Sequence, residues 1–195
     1  MNAAEELTAL LAAQESTPIE LGGATALFEA ISGGKVTAEI RSSGRCQLTD
    51  DERRRLRPGA SDTAFTRHGT LRTAGGVPVA EVTAVILPRR VPGPARPDLG
   101  ITKSGTPLDG ARSIPLGRAL RGRGVAREQI EARLTPGARD AAGAPQALYS
   151  AALLRIAVPL ALVTERVYEE FLDEFPPPWP IPVEMLHASL VTTRR

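Results

Sequence analysis

The chain has 195 residues, 42% of them hydrophobic, and a formal charge of +2: enough length for one domain with a buried core, and too little excess charge to coat the whole molecule as a polyanion-binding surface. A single cysteine, Cys46, excludes an intramolecular disulfide and fits a reducing compartment. The longest apolar run, residues 156–163, is strand-sized and contains Pro159, and Glu5 and Glu6 stand where a secretory signal would be basic, so the expectation is a cytoplasmic protein with no membrane partner.

Residues 5–13 read as a helix, with Leu7, Leu10 and Leu11 at helical spacing, and Pro18 closes that segment. Residues 25–31 predict a second short helix whose apolar stripe is Leu27, Phe28 and Ile31, stopped by Gly33 and Gly34. Over 35–42, Val36, Ala38 and Ile40 alternate with Thr37, Glu39 and Arg41, the pattern of a half-buried strand. Residues 50–57 are a charged helical turn ended by Pro58-Gly59. Strands at 63–73 and 77–87 flank Gly75-Gly76 and predict a hairpin. The stretch 88–110, rich in Pro and Gly, predicts a long loop that is disordered or serves as a lid. Residues 115–121 open a helix with Pro115 at a tolerated early position, and 125–134 predict a further helix. Strands at 147–157 and 160–168 flank Val158-Pro159, and a proline-rich tail begins at about residue 176 and runs extended to 182.

Helices and strands mix without a βαβ rhythm, and the hairpins demand antiparallel pairing. The expected class is therefore α+β: one domain over residues 1–195, a mainly antiparallel sheet with covering helices. The basic clusters at 53–57 and 118–123 carry no interleaved aromatics, which reads as solvated surface rather than a nucleic-acid contact. Two histidines and one cysteine do not make a closed zinc site without carboxylates, so no metal is expected.

Four segments, in order, carry a family resemblance: Thr25-Ala26-Leu27-Phe28-Glu29 followed by Gly34-Lys35-Val36-Thr37; Thr66-Arg67-His68 with Gly76-Val77-Pro78 downstream; Ile114-Pro115-Leu116-Gly117-Arg118-Ala119-Leu120; and Leu154-Arg155-Ile156 running through Pro159 to Leu162-Val163-Thr164-Glu165. Together they resemble the chorismate lyase family over most of residues 25–172, and in particular its divergent branch that forms 4-hydroxybenzoate for secondary metabolites. The resemblance implies a sheet wrapped around an internal pocket, and a reaction that eliminates pyruvate from chorismate to leave 4-hydroxybenzoate, without metal or organic cofactor. The pocket then has to bind two carboxylates, orient the ether and handle one proton.

On that resemblance Arg67 is the carboxylate clamp, its guanidinium offering a planar two-donor fork. Without a gap across the Gly75-Gly76 turn His68 takes the same family position, and since neighbouring strand residues face opposite sides only one of the two enters the pocket. Leu116 and Gly117 offer backbone N–H groups to a carboxylate. Glu165, sharing a face with Val163, is the pocket acid, with a raised pKa if unpaired. Arg155 is a second cation that pairs with Glu165 or binds the second carboxylate. Thr25 lines the pocket, and Phe28 reads as helix core.

The chain departs from the family pattern in the hairpin before Thr164-Glu165, which lacks a glycine, at Ala24, which replaces a bulkier residue, and in an insert at 100–113. These departures motivate a second reading, a repurposed scaffold that cyclises or rearranges a larger, polyketide-like natural-product intermediate. A third reading is a non-catalytic binding module, because effector domains of a family of transcription regulators resemble the same fold. About twenty residues precede Thr25, too few for a winged helix, which favours a stand-alone binder over a regulator. All three readings give the protein a small-molecule partner and leave monomer and homodimer open.

Overall fold

The computed structural model describes residues 2–14, 17–18, 23–106, 108 and 114–181. In chain order the elements are helix α1 (Ala3–Ala12), the two-residue strand β1 (Thr17–Pro18), α2 (Ala24–Ser32), β2 (Val36–Cys46), α3 (Asp50–Leu56), β3 (Ala64–Thr73), β4 (Pro78–Ile86), a 3₁₀ turn (Gly93–Ala95), α4 (Leu116–Ala119), β5 (Ala126–Arg139), β6 (Pro145–Arg155), β7 (Pro159–Tyr168) and α5 (Glu169–Glu174). The architecture is the α+β class expected, a single antiparallel sheet with helices.

Local chemistry sets most of the boundaries. Asn2 and Glu5 close a capping box on α1, and Thr49 and Glu52 close another on α3, so both helices begin where their orphan N–H groups find acceptors. Helix α2 stops at Gly33, which takes the left-handed conformation at φ 65 that ends a helix. Val36 and Ala38 point into the core and Thr37 and Glu39 out of it, which is the period of two read from the sequence.

The strands form two antiparallel meanders, β2-β3-β4 and β5-β6-β7, joined edge to edge by β4 and β7 in the order β1-β5-β6-β7-β4-β3-β2. The central strands β4 and β7 pair over Ala80–Val167 through Ile86–Ala161 without a register shift. One face of the sheet carries two apolar clusters. The first packs Leu7 and Leu11 of α1, Leu27 and Phe28 of α2 and Phe171 of α5 against Leu71, Ala80, Leu148 and Val167. The second packs Val91, Ala95, Leu99 and Ile101 of the long loop and Leu116 and Leu120 against Phe65, Ile86, Leu154 and Leu160. On the opposite face Leu56 of α3 covers Ala64, Val85, Leu153 and Leu162 near one end.

Two expectations are corrected, and one helix is added. Residues 126–139 are strand β5, not a helix, because pairing with β6 from Ala126–Arg155 to Arg139–Pro145 outweighs the helix propensity of a charged stretch. The loop after β4 is neither a lid nor disordered over its described part: Val91, Ala95, Leu99 and Ile101 are at most 1% exposed and supply much of the second core cluster. The chain after β7 first forms α5, which had no sequence signal beyond Phe171 and Leu172, and the proline-rich segment that follows is anchored at Trp179, 9% exposed, whose indole N–H donates to the Phe175 carbonyl at 2.7 Å. Pro182, the end of the expected extended tail, lies outside the described residues.

Gly69 shows how tightly the meander is drawn. The register between β2 and β3 shifts between Ile40 and Ser42, and at that irregularity a Cβ on Gly69 would run into the carbonyl oxygen of Glu39. Gly69→Ala should therefore lower the unfolding free energy by about 2–3 kcal/mol in a urea titration; an alanine variant as stable as the parent would show that the strands are not held this close.

Candidate functional site

The face that carries the two apolar clusters also carries a polar row between them. Strand alternation and register put Arg67 of β3, Val82 of β4, Glu165 of β7, Ser150 of β6 and Arg127 of β5 on this one side. Arg127 and Glu165 form an ion pair at 3.1 Å with side chains only 3% and 6% exposed. The Ser150 hydroxyl lies 3.0 Å from Arg127 Nη2 and 3.2 Å from Glu165 Oε2, accepting from the first and donating to the second. Gln129 Oε1 accepts from Arg127 Nε and Nη2 at 3.2 and 3.0 Å. The charged groups are thus desolvated but hydrogen-bonded on several sides, the condition under which a buried pair persists.

Above this row lies a cavity of about 30 Å³, lined on the sheet side by Leu71, Val82, Leu154, Val163, Glu165 and Arg127, and on the helix side by Gly23–Thr25 and Pro115–Gly117. A single water needs about 10–15 Å³ of such space, so the cavity has room for only a few waters. The helix wall is drawn in by a close approach: a Cβ on Gly117 would lie 3.1 Å from Thr25 Oγ1. Glu29, one turn further along α2, accepts from Arg118 of α4 and from the backbone N–H of Val36 at 3.2 Å, and lies 3.6 Å from Arg121. That carboxylate clasps α2 to α4 and to the start of β2.

The residues singled out from sequence fall in three places. Glu165, Leu116, Gly117 and Thr25 line the cavity. Arg67 is 4% exposed on the cavity-bearing face, but its Nη1 donates to the Ile114 carbonyl at 2.7 Å, so it holds the segment that leads into α4. Burial lowers its pKa to about 10, which leaves it cationic at neutral pH. His68 sits on the other face, its Nδ1 3.0 Å from Thr83 Oγ1 and its Nε2 3.5 Å from Glu81; the register therefore turns Arg67 and not His68 toward the cavity side. Arg155 is exposed at the end of β6, pairing with Glu128 at 3.3 Å rather than with Glu165, because it stands at the hairpin tip beyond the polar row. Phe28 is core, edge-on to Phe171 at 5.8 Å. Among the described residues no group of three His, Cys, Asp or Glu side chains is placed to hold a metal ion.

Arg127, the cation that reaches Glu165, was hidden by the helical reading of 125–134. The helical reading had a basis: at about 100° per residue Ala126, Ile130 and Leu134 fall within ~80° of one another on a helix. What no pattern announces is that Arg127 and Gln129, two apart on a strand, point inward.

No protein-family model matches this chain, and no curated protein sequence matches it. Solved structures do. PhnF from Mycobacterium smegmatis aligns at 16% identity with a TM-score of 0.51, covering 78% of this chain and 66% of that one. The effector domain of PhnF from the same organism aligns at 17% identity, TM-score 0.49, covering 78% and 92%, and a GntR-family transcriptional regulator from Enterococcus faecalis at 10%, TM-score 0.39, covering 68% and 89%. The chain thus spans just under two thirds of the longer PhnF chain. The feature shared with PhnF is the fold, a chorismate lyase-like antiparallel sheet with helices; at this identity the likeness extends to the fold and not to an activity. No helix among the described residues is long and apolar enough to cross a membrane.

Removing one member of the buried pair should be far worse than removing both. Arg127→Met leaves the Glu165 carboxylate uncompensated and should cost about 3–5 kcal/mol in a urea titration, whereas Arg127→Met with Glu165→Leu should regain most of that loss. A double variant no more stable than the single one would mean that Arg127 acts through packing and not through its charge.

Proposed function

We propose that this protein is a small-molecule-binding module whose ligand occupies the space between the sheet and the α2–α4 wall. The observation that carries this reading is the Arg127–Glu165 pair, steadied from behind by Ser150, in the wall of a mostly apolar cavity. Binding sites have this composition, a mostly apolar lining with a few convergent polar groups. A buried ion pair is seldom the most stable filling for a core, so its place between two apolar clusters is accounted for by recognition. Ligand sites run to roughly 300–1,000 Å³, so a ligand must part α2 from α4, and the Glu29 clasp sets the cost of doing so. The likeness in fold to a regulator effector domain supports a sensing role of this kind.

A lyase reading rests on Glu165, a carboxylate at the cavity beside a guanidinium, suited to passing one proton in the elimination of pyruvate from chorismate. Chorismate brings two carboxylates, however. Among the described residues lining the cavity Arg127 is the one cation, and Glu165 already balances it. That favours a ligand with a single polar or anionic group, held without turnover. A cavity of about 30 Å³ likewise does not favour cyclisation of a polyketide-sized intermediate.

A thermal-shift panel of aromatic acids, short hydroxy acids and sugar phosphates separates these readings. At least one class should raise the melting temperature, since a ligand at 100 times its Kd adds ~2.7 kcal/mol. Glu165→Gln, which keeps the shape of the network, should weaken that ligand at least tenfold. The same protein incubated with chorismate should release no 4-hydroxybenzoate or pyruvate; release of both would install the lyase reading. A panel with no shift in any class would remove the binding reading.

A further inference from the structure

The two ends of the β6–β7 hairpin are chemically opposite, and we propose that they join, copy to copy, in a head-to-tail assembly of this chain. At the tip of the hairpin Ile156 and Val158 are 47% and 52% exposed, among the most exposed large hydrophobic residues described. The groove beside the tip is lined by Arg54, Arg55, Arg57 and Arg155. These four arginines face two carboxylates, Asp51, which Arg54 and Arg55 share at 3.3 and 2.7 Å, and Glu128, which takes Arg155 at 3.3 Å. Arg57 adds a further charge from a left-handed backbone conformation, φ 47, where glycine would be the less strained residue. The tip is held firmly from below: Arg90 donates to the carbonyls of Leu56, Arg57 and Pro159 and pairs with Asp62 at 2.7 Å. The result is an apolar knob with a basic surround.

The other end is a concavity of about 340 Å³ between α1, α5 and the kinked part of β5. Its floor is apolar, made by Ala4, Leu134, Pro136, Ala147 and Leu172, and Leu134 is 40% exposed there. Its lining also includes Glu169 and Asp173, and Glu170 and Glu174 add exposed charge on the same short helix. The nearest arginine beyond Leu134, Arg133, is taken up by Glu131 at 2.6 Å. The concavity is therefore an apolar socket with an acidic rim, with room for the two aliphatic side chains of the knob.

Knob and socket cannot meet within one molecule. Strand β7 runs from Pro159 beside the knob to Tyr168 beside the socket, and at ~3.4 Å per residue its length keeps them some ~30 Å apart. Between copies, apolar tip meets apolar floor and the arginines meet the rim acids, the arrangement of an interface with an apolar centre and a charged margin. Because the two patches differ, the contact is heterologous and propagates into a chain or closes into a ring. The contact uses no residue of the cavity, so it is independent of ligand binding.

Sedimentation and light scattering of the full chain decide the matter. At ~0.02 M salt the mean mass should rise with protein concentration, and at ~0.5 M salt, where surface charges are screened within a few ångströms, it should fall toward the monomer. A knob variant, Arg54→Glu with Arg155→Glu, and a socket variant, Glu169→Arg with Asp173→Arg, should each weaken association at least tenfold while melting like the parent. An equimolar mixture of the two variants should associate again, since the unaltered knob of the socket variant then meets the unaltered socket of the knob variant. A parent mass independent of concentration at low salt would overturn the proposal. So would variants that associate like the parent, or a mixture that stays monomeric.

Discussion

Everything at the centre of this molecule is arranged around one costly fact, a guanidinium and a carboxylate taken out of water in the middle of a sheet. Arg127 and Glu165 are nearly inaccessible, and either charge left there without the other would be uncompensated. Their partners come from three strands: Glu165 from β7, Ser150 from β6, and Arg127 with Gln129 from β5. The network therefore requires those strands in this register and no other, because a slip by one residue would turn each polar side chain to the outer face. The pair specifies the β5-β6-β7 meander as much as the meander creates the pair.

That constraint divides the core. A continuous apolar layer under α1, α2, the long loop and α4 would cover the whole inner face, yet the polar row splits it into two clusters, which meet at the partly buried Val82. The small cavity lies where the division reaches the helix wall. Two further side chains keep this wall in place by holding backbone rather than ligand. Arg67 secures the Ile114 carbonyl, and Glu29 ties α4 to α2 and to the first residue of β2. In both cases a charged group suited to ligand chemistry by its type is spent on positioning the wall, so the charged chemistry left at the cavity is that of Arg127 and Glu165.

The outer face follows a different logic. His68, Thr83 and Glu81 form a half-buried polar strip there, with Tyr149 lying under the guanidinium groups of Arg133 and Arg166 at 5.0 and 5.6 Å from its ring centre. Such contacts are individually small at exposed sites. Away from the Leu56 cluster they leave this face of the sheet to water, as antiparallel sheets allow, and the buried ion pair lies on the other.

How much of this could be read from the chain alone depended on whether a local rule decided it. Alternation placed β2, because a half-buried strand must alternate, and the Gly75-Gly76 and Val158-Pro159 turns placed the two hairpins; proline and glycine marked the ends of α1, α2 and α3, where a helix does not continue. The same alternation put Glu165 on the side of Val163, and both line the cavity. Tertiary structure alone decided the rest. Residues 125–134 read as a helix by composition and from Ala126 onward lie in a strand, since β6 offered a hydrogen-bonded edge that propensity cannot foresee. Arg155, on the strand beside Glu165, read as its partner or as the site of a second carboxylate and instead stands at the hairpin tip, while Arg127 pairs with Glu165. Which of 24 lysines and arginines meets a given carboxylate in the interior is a question of register between strands distant in sequence. Local patterns fix which way a side chain points, but only the packed sheet fixes what it points at.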